Sequence, residues 1–428
     1  MNRRGFLKTA SGIAAGAVAF PSIVPSSVLG AGAPSGKITM GCIGVGSQGT
    51  GNMNGFLSKS DARVLAVCDV DKRHRDAAKK RVDDKYDNSD CATYHDFREL
   101  IARDDIDALS LALPDHWHAI PVTMAARAGK DMYGEKPLAR TIHEGKAMVE
   151  AVQHYDRIWQ TGSWQRSVGH FRKACELVIN GRIGKVSTVE VGLPTGGGTG
   201  NPPVSPVPEG LDWDFWLGPA PWRPFVKYSG RAPHWDWRWI MDYSGGQLTD
   251  WAGHHIDIAH WGLGLDRTGP VEIEGQGAYP SDGIYDAPTQ YKFVCKYANG
   301  IVMTVANDRQ VPKGMGTCWY GDKGWIHVNR GGLHASDPKI LDEVIGPNET
   351  RLYESRDHQQ NFLDCVKSRE ETITPIDVAY RSISVGHLGE IAMLLGRKVH
   401  WDPDQMEFKN DDAANRLRSR SMRSPWTL

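Results

Sequence analysis

The sequence predicts a two-domain α/β protein. The amino-terminal part is predicted to be a doubly wound parallel sheet, and the carboxy-terminal part an α+β domain with a large, mostly antiparallel open sheet. Short apolar segments alternate with polar helical segments from Lys37 onward, which is typical of βαβ units. Beyond about residue 165 the composition shifts towards Trp, Gly and Pro, and alternating runs indicate antiparallel hairpins. We therefore expect the first domain to span 37–165 and the second 166–428.

The elements of the first domain follow one another at regular spacing. Strands are predicted at 37–45, 63–70, 107–114, 132–139 and 158–167. Helices are predicted between them at 71–86, 97–104, 122–130 and 141–156. Parallel strands joined by helices bring the carboxyl ends of the strands to one edge, where such sheets bind ligands.

The second domain begins with an aperiodic stretch at 194–210, and a loop of that length in a compact domain is usually functional or disordered. A long helix is predicted at 247–264, and two hairpins at 291–308 and 316–331. Amphipathic helices are predicted at 357–370 and 379–398.

The chain starts with a segment that has the three parts of a signal peptide. Arg3 and Arg4 precede a weakly apolar run, and small residues follow it. The paired arginines predict a twin-arginine signal over 1–33 and therefore a periplasmic protein that is exported already folded. The alternative is a basic start on a cytosolic protein.

The composition excludes several classes of partner. Fifty basic and fifty-one acidic residues give a formal charge of -1, so no global field favours nucleic acid or an anionic membrane. Seven scattered cysteines without a CxxC pair argue against a zinc ribbon and a disulfide framework. No stretch beyond the amino terminus has the length of an apolar membrane span, so we expect no stable membrane insertion and a small, uncharged ligand.

A glycine-rich turn follows the first predicted strand. Gly44, Gly46 and Gly49 form GxGxxG, which allows a tight turn, close approach of a pyrophosphate and close packing of the next helix. Asp69 ends the second strand, where a carboxylate accepts hydrogen bonds from an adenosine ribose and repels a 2'-phosphate. The pattern predicts a Rossmann domain with NAD as cofactor. Lys72 and Arg73 keep NADP open, and an ordinary glycine turn is the simpler alternative.

Three further side chains suggest proton chemistry. Lys136 ends a strand at the ligand-binding edge, where it could stabilise a developing alkoxide. Asp250 and His254 are four residues apart on a helix and share a face. A histidine of near-neutral pKa is suited to accepting a hydroxyl proton. A surface carboxylate–histidine pair is the alternative interpretation.

The ordered motifs GVGSQG, CD at 68–69, LPDHWHA, GEKPLA and SGGQLTD resemble the Gfo/Idh/MocA oxidoreductase family over nearly the whole mature chain. The carboxy-terminal part is similar to a twin-arginine-exported branch of that family. The resemblance implies a Rossmann domain and a sheet domain with substrate between them, catalysis by Lys136, Asp250 and His254, and homo-oligomers packed through the open sheet. It places Pro114 and His118 on the nicotinamide side. The predicted cofactor residues are Gly44, Gly46, Ser47, Gln48, Gly49, Asp69, Pro114, His118, Glu135 and Lys136.

Two features depart from the minimal pattern of the family. His255 doubles the histidine, and five tryptophans surround the site region: Trp164, Trp235, Trp237, Trp239 and Trp251. Stacking on a sugar ring or ordinary core packing would each explain these indoles. The predicted substrate contacts are Arg166, Trp239 and His255. His254, His255, Asp257 and His260 could suggest a metal, but their helical spacing turns the two adjacent histidines apart, so no metal site is predicted.

A periplasmic dehydrogenase without a free NAD pool must keep its cofactor and have the hydride removed again. We therefore expect tightly bound, internally recycled NAD that oxidises a secondary hydroxyl of a sugar, cyclitol or glycoside, possibly at C3. One alternative is a glycoside-cleaving enzyme, in which the 3-ketone acidifies the neighbouring C–H and permits elimination. The other is a non-catalytic sugar-binding protein on the same fold.

Overall fold

The computed structural model describes residues 36–197, 200–227 and 233–428. The predicted signal segment 1–33 therefore lies outside the described residues. All elements below belong to one compact unit, Ile38–Leu428. Within the described residues, no helix combines the length and the apolar character that crossing a bilayer requires.

The amino-terminal sheet has six parallel strands in the order β3-β2-β1-β4-β5-β6. Its strands are β1 Ile38–Ile43, β2 Ala62–Cys68, β3 Ala92–Tyr94, β4 Ala108–Leu111, β5 Asp131–Gly134 and β6 Trp159–Thr161. The helices between them are α1 Ser47–Leu57, α2 Lys72–Tyr86, α3 Phe97–Ile101, α4 Ala119–Arg127 and α5 Ile142–His154. The strand order reverses between β1 and β4, and ligands bind at such a switch point.

Local sequence explains where these helices begin. The Asp71 side chain accepts a hydrogen bond from the Arg73 N–H and caps α2. Thr141 and Glu144 form a reciprocal capping box at the start of α5. Gly46 precedes α1 without a side-chain cap, so the first N–H groups of this helix remain open to a ligand.

The carboxy-terminal sheet has nine strands in the order β13-β12-β11-β7-β10-β9-β8-β14-β15. Only the β7–β10 pair is parallel, so the predicted α/β class with a mostly antiparallel second sheet is confirmed. Its strands are β7 Val186–Leu193, β8 Glu272–Ala278, β9 Gln290–Lys296, β10 Val302–Asn307, β11 Gly316–Gly321, β12 Gly324–Asn329, β13 Gly332–Ala335, β14 Val399–Asp402 and β15 Glu407–Phe408. Strand β7, which no prediction named, lies at the centre of the sheet.

The helices of the second domain are α6 Gly169–Ile179, α7 Trp213–Leu217, α8 Gly246–Leu263, α9 His358–Ser368, α10 Ile376–Leu395 and α11 Asp412–Arg416. Helices α6, α8 and α10 cover one face of this sheet, whereas α9 packs on the first domain through Phe362 and Leu363. Helices α8 and α10 pack against each other and are buried along most of their length. The opposite face carries exposed polar side chains such as Glu274, Gln276 and Lys292. The core therefore lies between the sheet and the helices.

A buried ion pair joins the end of the first sheet to α10. Both terminal nitrogens of Arg140 donate to the Glu390 carboxylate at 3.1 Å. Although burial opposes ionisation, the charge of Arg140 lowers the pKa of Glu390 to about 2. This bidentate pair helps to position the two sheets beside the predicted site.

Candidate active site

The glycine turn has the backbone that its sequence predicts. Gly44 has a φ of +76°, and a Cβ there would lie 2.3 Å from the Ala112 carbonyl oxygen. A Cβ on Gly49 would lie 1.8 Å from the Gly44 carbonyl oxygen. Only glycine fits either position. The uncapped N-terminus of α1 then presents N–H groups and a positive dipole to an anion, which suits the pyrophosphate of a dinucleotide.

Asp69 lies directly beside this turn. One carboxylate oxygen accepts a hydrogen bond from the Val45 N–H at 2.9 Å and lies 3.5 Å from His74 Nδ1. The two basic residues that kept NADP open are both engaged elsewhere: Arg73 pairs with Asp71 at 2.9 Å, and Lys72 pairs with Asp76. The ribose end of the site therefore presents a carboxylate, which favours NAD.

The turn opens into a cleft that is open to solvent. Its lining includes nine of the predicted cofactor residues, namely Gly44, Gly46, Ser47, Gln48, Gly49, Asp69, Pro114, Glu135 and Lys136. Glu135 accepts hydrogen bonds from Gln48 at 3.0 Å and Asn52 at 2.9 Å. The second domain closes the cleft with Trp235 and Trp237, two of the tryptophans named from the sequence. It also contributes residues that were not predicted: Phe215, Trp216, His234 and Arg238.

The prediction that His118 contacts the cofactor is not supported. Its ring is buried, with Nδ1 2.8 Å from the Pro137 carbonyl oxygen and Nε2 2.8 Å from that of Leu113. Both nitrogens thus face backbone carbonyl oxygens of the segments that follow β4 and β5. His118 is not among the described residues that line it.

Lys136 and Asp250 form an ion pair beside the cleft. Lys136 Nζ lies 2.7 Å from Asp250 Oδ1, and both side chains are largely buried. The other carboxylate oxygen of Asp250 lies 3.9 Å from Arg238 Nε. Burial opposes ionisation, but the charges of Lys136, Arg238 and Arg330 hold the pKa of Asp250 below its usual value. Asp250 is therefore ionised at neutral pH.

His254 lies one turn further along α8 and is buried. Its Nε2 is 3.1 Å from a terminal nitrogen of Arg330, so this donor covers the lone pair that would accept a proton. Burial first, and then the charges of Lys136 and Arg330, lower the pKa of His254 well below its usual value. The expectation of a near-neutral pKa is therefore wrong, because two cations disfavour a third charge beside them.

Two predicted substrate contacts are corrected. Arg166 is 3% exposed and its guanidinium is paired with Asp257 at 2.7 Å and Asp266 at 2.8 Å. His255 is fully buried and its ring stacks on Trp251 with a centroid separation of 5.5 Å. Both side chains lie in the interior around α8, and neither is among the described residues that line the cleft.

The tryptophans divide between packing and exposure. Trp239, the predicted sugar contact, is buried in a cluster with Trp213, Trp216 and Tyr243. Trp164 and Trp235 are 40% and 42% exposed. The predicted tryptophan-rich site is thus only partly a surface, because Trp237 and Trp239 are buried in this cluster and Trp251 is half-buried.

The possible metal ligands on α8 point to separate partners. Asp257 pairs with Arg166, and His260 Nε2 lies 2.7 Å from the Tyr297 hydroxyl. Asp71, His74 and His234 place their ligand atoms within 4.8 Å of one another at the ribose end of the cleft. The Asp71 carboxylate there already accepts from Arg73 at 2.9 Å and lies 3.0 Å from His234 Nε2. The contact between His234 and Asp71 connects the second domain to the first.

A dinucleotide cleft and an adjoining lysine–carboxylate pair define the class as a dinucleotide-dependent oxidoreductase. The sequence matches two models of one oxidoreductase family. Residues 38–163 match the NAD-binding Rossmann fold of the family, and residues 194–428 match the C-terminal alpha/beta domain of the family. The protein belongs to the Gfo/Idh/MocA oxidoreductase family and carries an NAD-binding domain.

Curated relatives match part of the chain. A glycosyl hydrolase family 109 protein from Shewanella sp. (strain ANA-3) is 32% identical over 170 residues, which is 36% of this chain and 37% of the relative. An alpha-N-acetylgalactosaminidase from Shewanella oneidensis is 31% identical over the same shares. The match thus spans little more than a third of these relatives' length.

Solved structures show the same fold. The WlbA dehydrogenase from Bordetella pertussis, in complex with NADH and UDP-GlcNAcA, has a TM-score of 0.63 at 16% identity and covers 86% of this chain and 99% of its own. The aldose-aldose oxidoreductase from Caulobacter crescentus, complexed with glycerol, has a TM-score of 0.61 at 20% identity and covers 85% and 99%.

Proposed function

We propose that this protein uses tightly held NAD to oxidise a secondary hydroxyl of a sugar, cyclitol or glycoside. The observation that carries the proposal is the Lys136–Asp250 pair, joined at 2.7 Å where the dinucleotide cleft meets the second domain. A lysine N–H aimed at a hydroxyl oxygen stabilises the charge that develops when the C–H hydride leaves. Bound NAD supplies the hydride acceptor.

The three predicted catalytic residues have different roles. Lys136 would hold the reacting hydroxyl and stabilise its alkoxide, while Asp250 keeps the ammonium group in place through its ion pair. His254 is neutral at physiological pH because of its lowered pKa, so its Nε2 is chemically able to accept the proton. Arg330 must move off Nε2 for that to happen, since it donates to this atom.

Retention of the cofactor would reconcile a dinucleotide enzyme with export. The paired Arg3 and Arg4 support periplasmic localisation, where no NAD pool replenishes a released cofactor. Two contacts of the second domain with the first support retention of the cofactor. His234 Nε2 lies 3.0 Å from the Asp71 carboxylate, and the Lys72 N–H donates to the Gly210 carbonyl oxygen at 2.8 Å. We also propose that the protein forms homo-oligomers that pack through the open face of the second sheet.

Glycoside cleavage is the second candidate. The relatives named for glycosyl hydrolase family 109 and alpha-N-acetylgalactosaminidase favour it. Oxidation of a hydroxyl to a ketone would acidify the neighbouring C–H, and loss of that proton would expel the glycosidic oxygen as the free alcohol. Addition of water to the resulting double bond and return of the hydride to the ketone would complete the cleavage. The net reaction would then be redox-neutral.

The first test is the cofactor content of the purified protein. We expect denaturation to release about one NAD(H) per chain, and release of none, with rapid exchange of added NAD, contradicts retention. The second test treats the holoenzyme with sugars and p-nitrophenyl glycosides while the absorbance of bound NADH and of released nitrophenol is recorded. His254→Ala should abolish reduction and leave the cofactor content unchanged, whereas a binding protein would show no reduction at all.

A further inference from the structure

We propose that Arg330 forms an anion subsite and that the sugar substrate carries an acidic substituent, a carboxylate or a phosphate ester, beside the oxidised carbon. The inference rests on the proposed function and names its substrate class. It departs from the expectation of an uncharged ligand, because the local charge of the site differs from the near-zero charge of the chain.

The turn after β12 brings Arg330 to the catalytic pair. Arg330 follows Asn329 and precedes Gly331 and Gly332, whose N–H groups are held by the Asn329 side chain at 2.8 and 3.1 Å. The guanidinium lies over the rings of Trp164 and Trp251, with its central carbon 4.8 and 4.5 Å from their centroids. The side chain is thus fixed in direction although the residue is exposed.

Few of the donors of this guanidinium are used. Nε donates to Gln165 Oε1 at 3.1 Å, and one terminal nitrogen donates to His254 Nε2 at 3.1 Å. Both acceptors are neutral, and within the described residues the second terminal nitrogen has no hydrogen-bond partner. A guanidinium has five N–H groups arranged to bind two oxygens of one anion, which is a stronger acceptor than an amide or an imidazole.

Other arginines near the site have the anionic partner that Arg330 lacks. Arg166 is paired with two aspartates, and Arg140 with Glu390. Burial lowers the pKa of Arg330 with only Asp250 opposing it, whereas carboxylate charges outweigh burial and raise the pKa of Arg140. Arg330 is therefore a cation whose charge is poorly compensated.

The catalytic pair has an excess of positive charge. Lys136, Arg238 and Arg330 all act on the single carboxylate of Asp250. Arg238 lines the cofactor cleft, whereas Arg330 is not among its described lining residues. The phosphates of NAD therefore do not explain Arg330, and the half-exposed indole of Trp164 beside it offers a face for a sugar ring.

Binding of an anion would also affect His254. An acidic group that takes both outer nitrogens of Arg330 would replace the hydrogen bond from Arg330 to His254 Nε2. The lone pair of that nitrogen would then face the substrate. The acidic group would thereby both fix the sugar and free the acceptor for its proton.

The test uses the NAD-loaded holoenzyme and three matched probes: D-galactose, D-galacturonate and D-galactose 6-phosphate. For this titration the bound cofactor is first reduced to NADH, because only the reduced nicotinamide fluoresces, and quenching of that fluorescence gives each Kd at low and at 0.5 M salt. We expect one acidic probe to bind at least about tenfold more tightly than galactose and to lose most of that advantage at high salt. The two acidic arms distinguish a carboxylate from a phosphate ester.

Arg330→Gln should remove the preference for the acidic probe, and Arg330→Lys should keep part of it as a point charge without the planar fork. Arg127→Gln is the matched control, since Arg127 is exposed at the end of α4, on the opposite edge of the first sheet. Equal or weaker binding of both acidic probes by the unaltered protein overturns the proposal, as does a preference that survives in Arg330→Gln. Reduction of bound NAD by neutral sugars alone would sink this proposal and leave the proposed function standing, whereas absence of NAD would sink the proposed function.

Discussion

Replacing Lys136 with Met tests the ion pair on which the proposed chemistry depends. The substitution keeps the length of the side chain and removes the charge that lies 2.7 Å from Asp250 Oδ1. Asp250 is then a buried carboxylate with only Arg238, at 3.9 Å, and Arg330 to compensate it. We expect the removal of this charge to lower both the stability of the protein and the rate of turnover.

The magnitude follows from the burial of the pair. Removing one partner of a buried ion pair costs about 3–5 kcal/mol, and because two arginines remain we expect the lower end, about 3 kcal/mol. The melting temperature should fall by about 5 °C. Loss of a group that stabilises a developing alkoxide should slow reduction of bound NAD by about 10²-fold or more.

The charge on Asp250 determines how the loss of stability in Lys136→Met changes with pH. The charges around Asp250 hold its pKa below the usual value, so its stabilising contribution is present above that value and is lost as the pH falls through the lowered pKa. In Lys136→Met the pKa of Asp250 rises, because burial then acts with one cation fewer. The difference in stability between the two proteins should therefore narrow as the pH falls from 7 towards 4.

Urea denaturation at several pH values measures the free energy of unfolding, and release of NAD(H) on denaturation measures occupancy. Lys146→Met is the matched control, since Lys146 is exposed and its nearest carboxylate, that of Glu150, is 3.8 Å away. The control should change stability by less than about 0.5 kcal/mol. A Lys136→Met protein with unchanged stability and full turnover would refute the assigned role of the pair.

Three other substitutions test the cofactor site and the domain junction. In Gly49→Ala the new Cβ would lie 1.8 Å from the Gly44 carbonyl oxygen, so released NAD(H) should fall at least tenfold; full occupancy would contradict the assigned cradle. Asp69→Ala removes the acceptor of the Val45 N–H at 2.9 Å and should reduce the preference of the apoprotein for NAD over NADP by about tenfold in equilibrium dialysis, and an unchanged ratio would place the ribose elsewhere. Glu390→Gln leaves Arg140 buried and should cost about 3–5 kcal/mol in urea denaturation. Because the pKa of Glu390 is lowered to about 2 from 4.5, this difference should be fully present above pH 5 and shrink as the pH falls towards 2; a constant difference would exclude ionisation as its cause.

The first domain follows closely from local sequence. Predicted strands at 37–45 and 107–114 contain β1 and β4, and the one at 63–70 overlaps β2 except for Ala62, because buried parallel strands are continuous apolar runs. The left-handed φ at Gly44 also depends on neighbours close in sequence, whereas the cofactor roles of the glycines and Asp69 stay predictions.

The second domain was less accessible to such reasoning. Strand β7 is central and its buried side chains alternate at Val189, Val191 and Leu193, but its partners β10 and β11 come more than a hundred residues later, so its place in the sheet could not be predicted. The ion pairs of Arg166 could not be predicted from local sequence, because Asp257 and Asp266 are about a hundred residues away along the chain.

The sequence by itself determined the parallel sheet and the glycine turn, and it predicts the ribose carboxylate and the residues proposed to handle the proton. Only the tertiary structure decided which charges surround Asp250 and His254. Arg238 and Arg330 are near these residues because a 3₁₀ turn and a hairpin turn end there, not because of any periodic pattern. Electrostatic interactions act through space, so the protonation of a buried group depends on which elements the fold brings within a few ångströms of it.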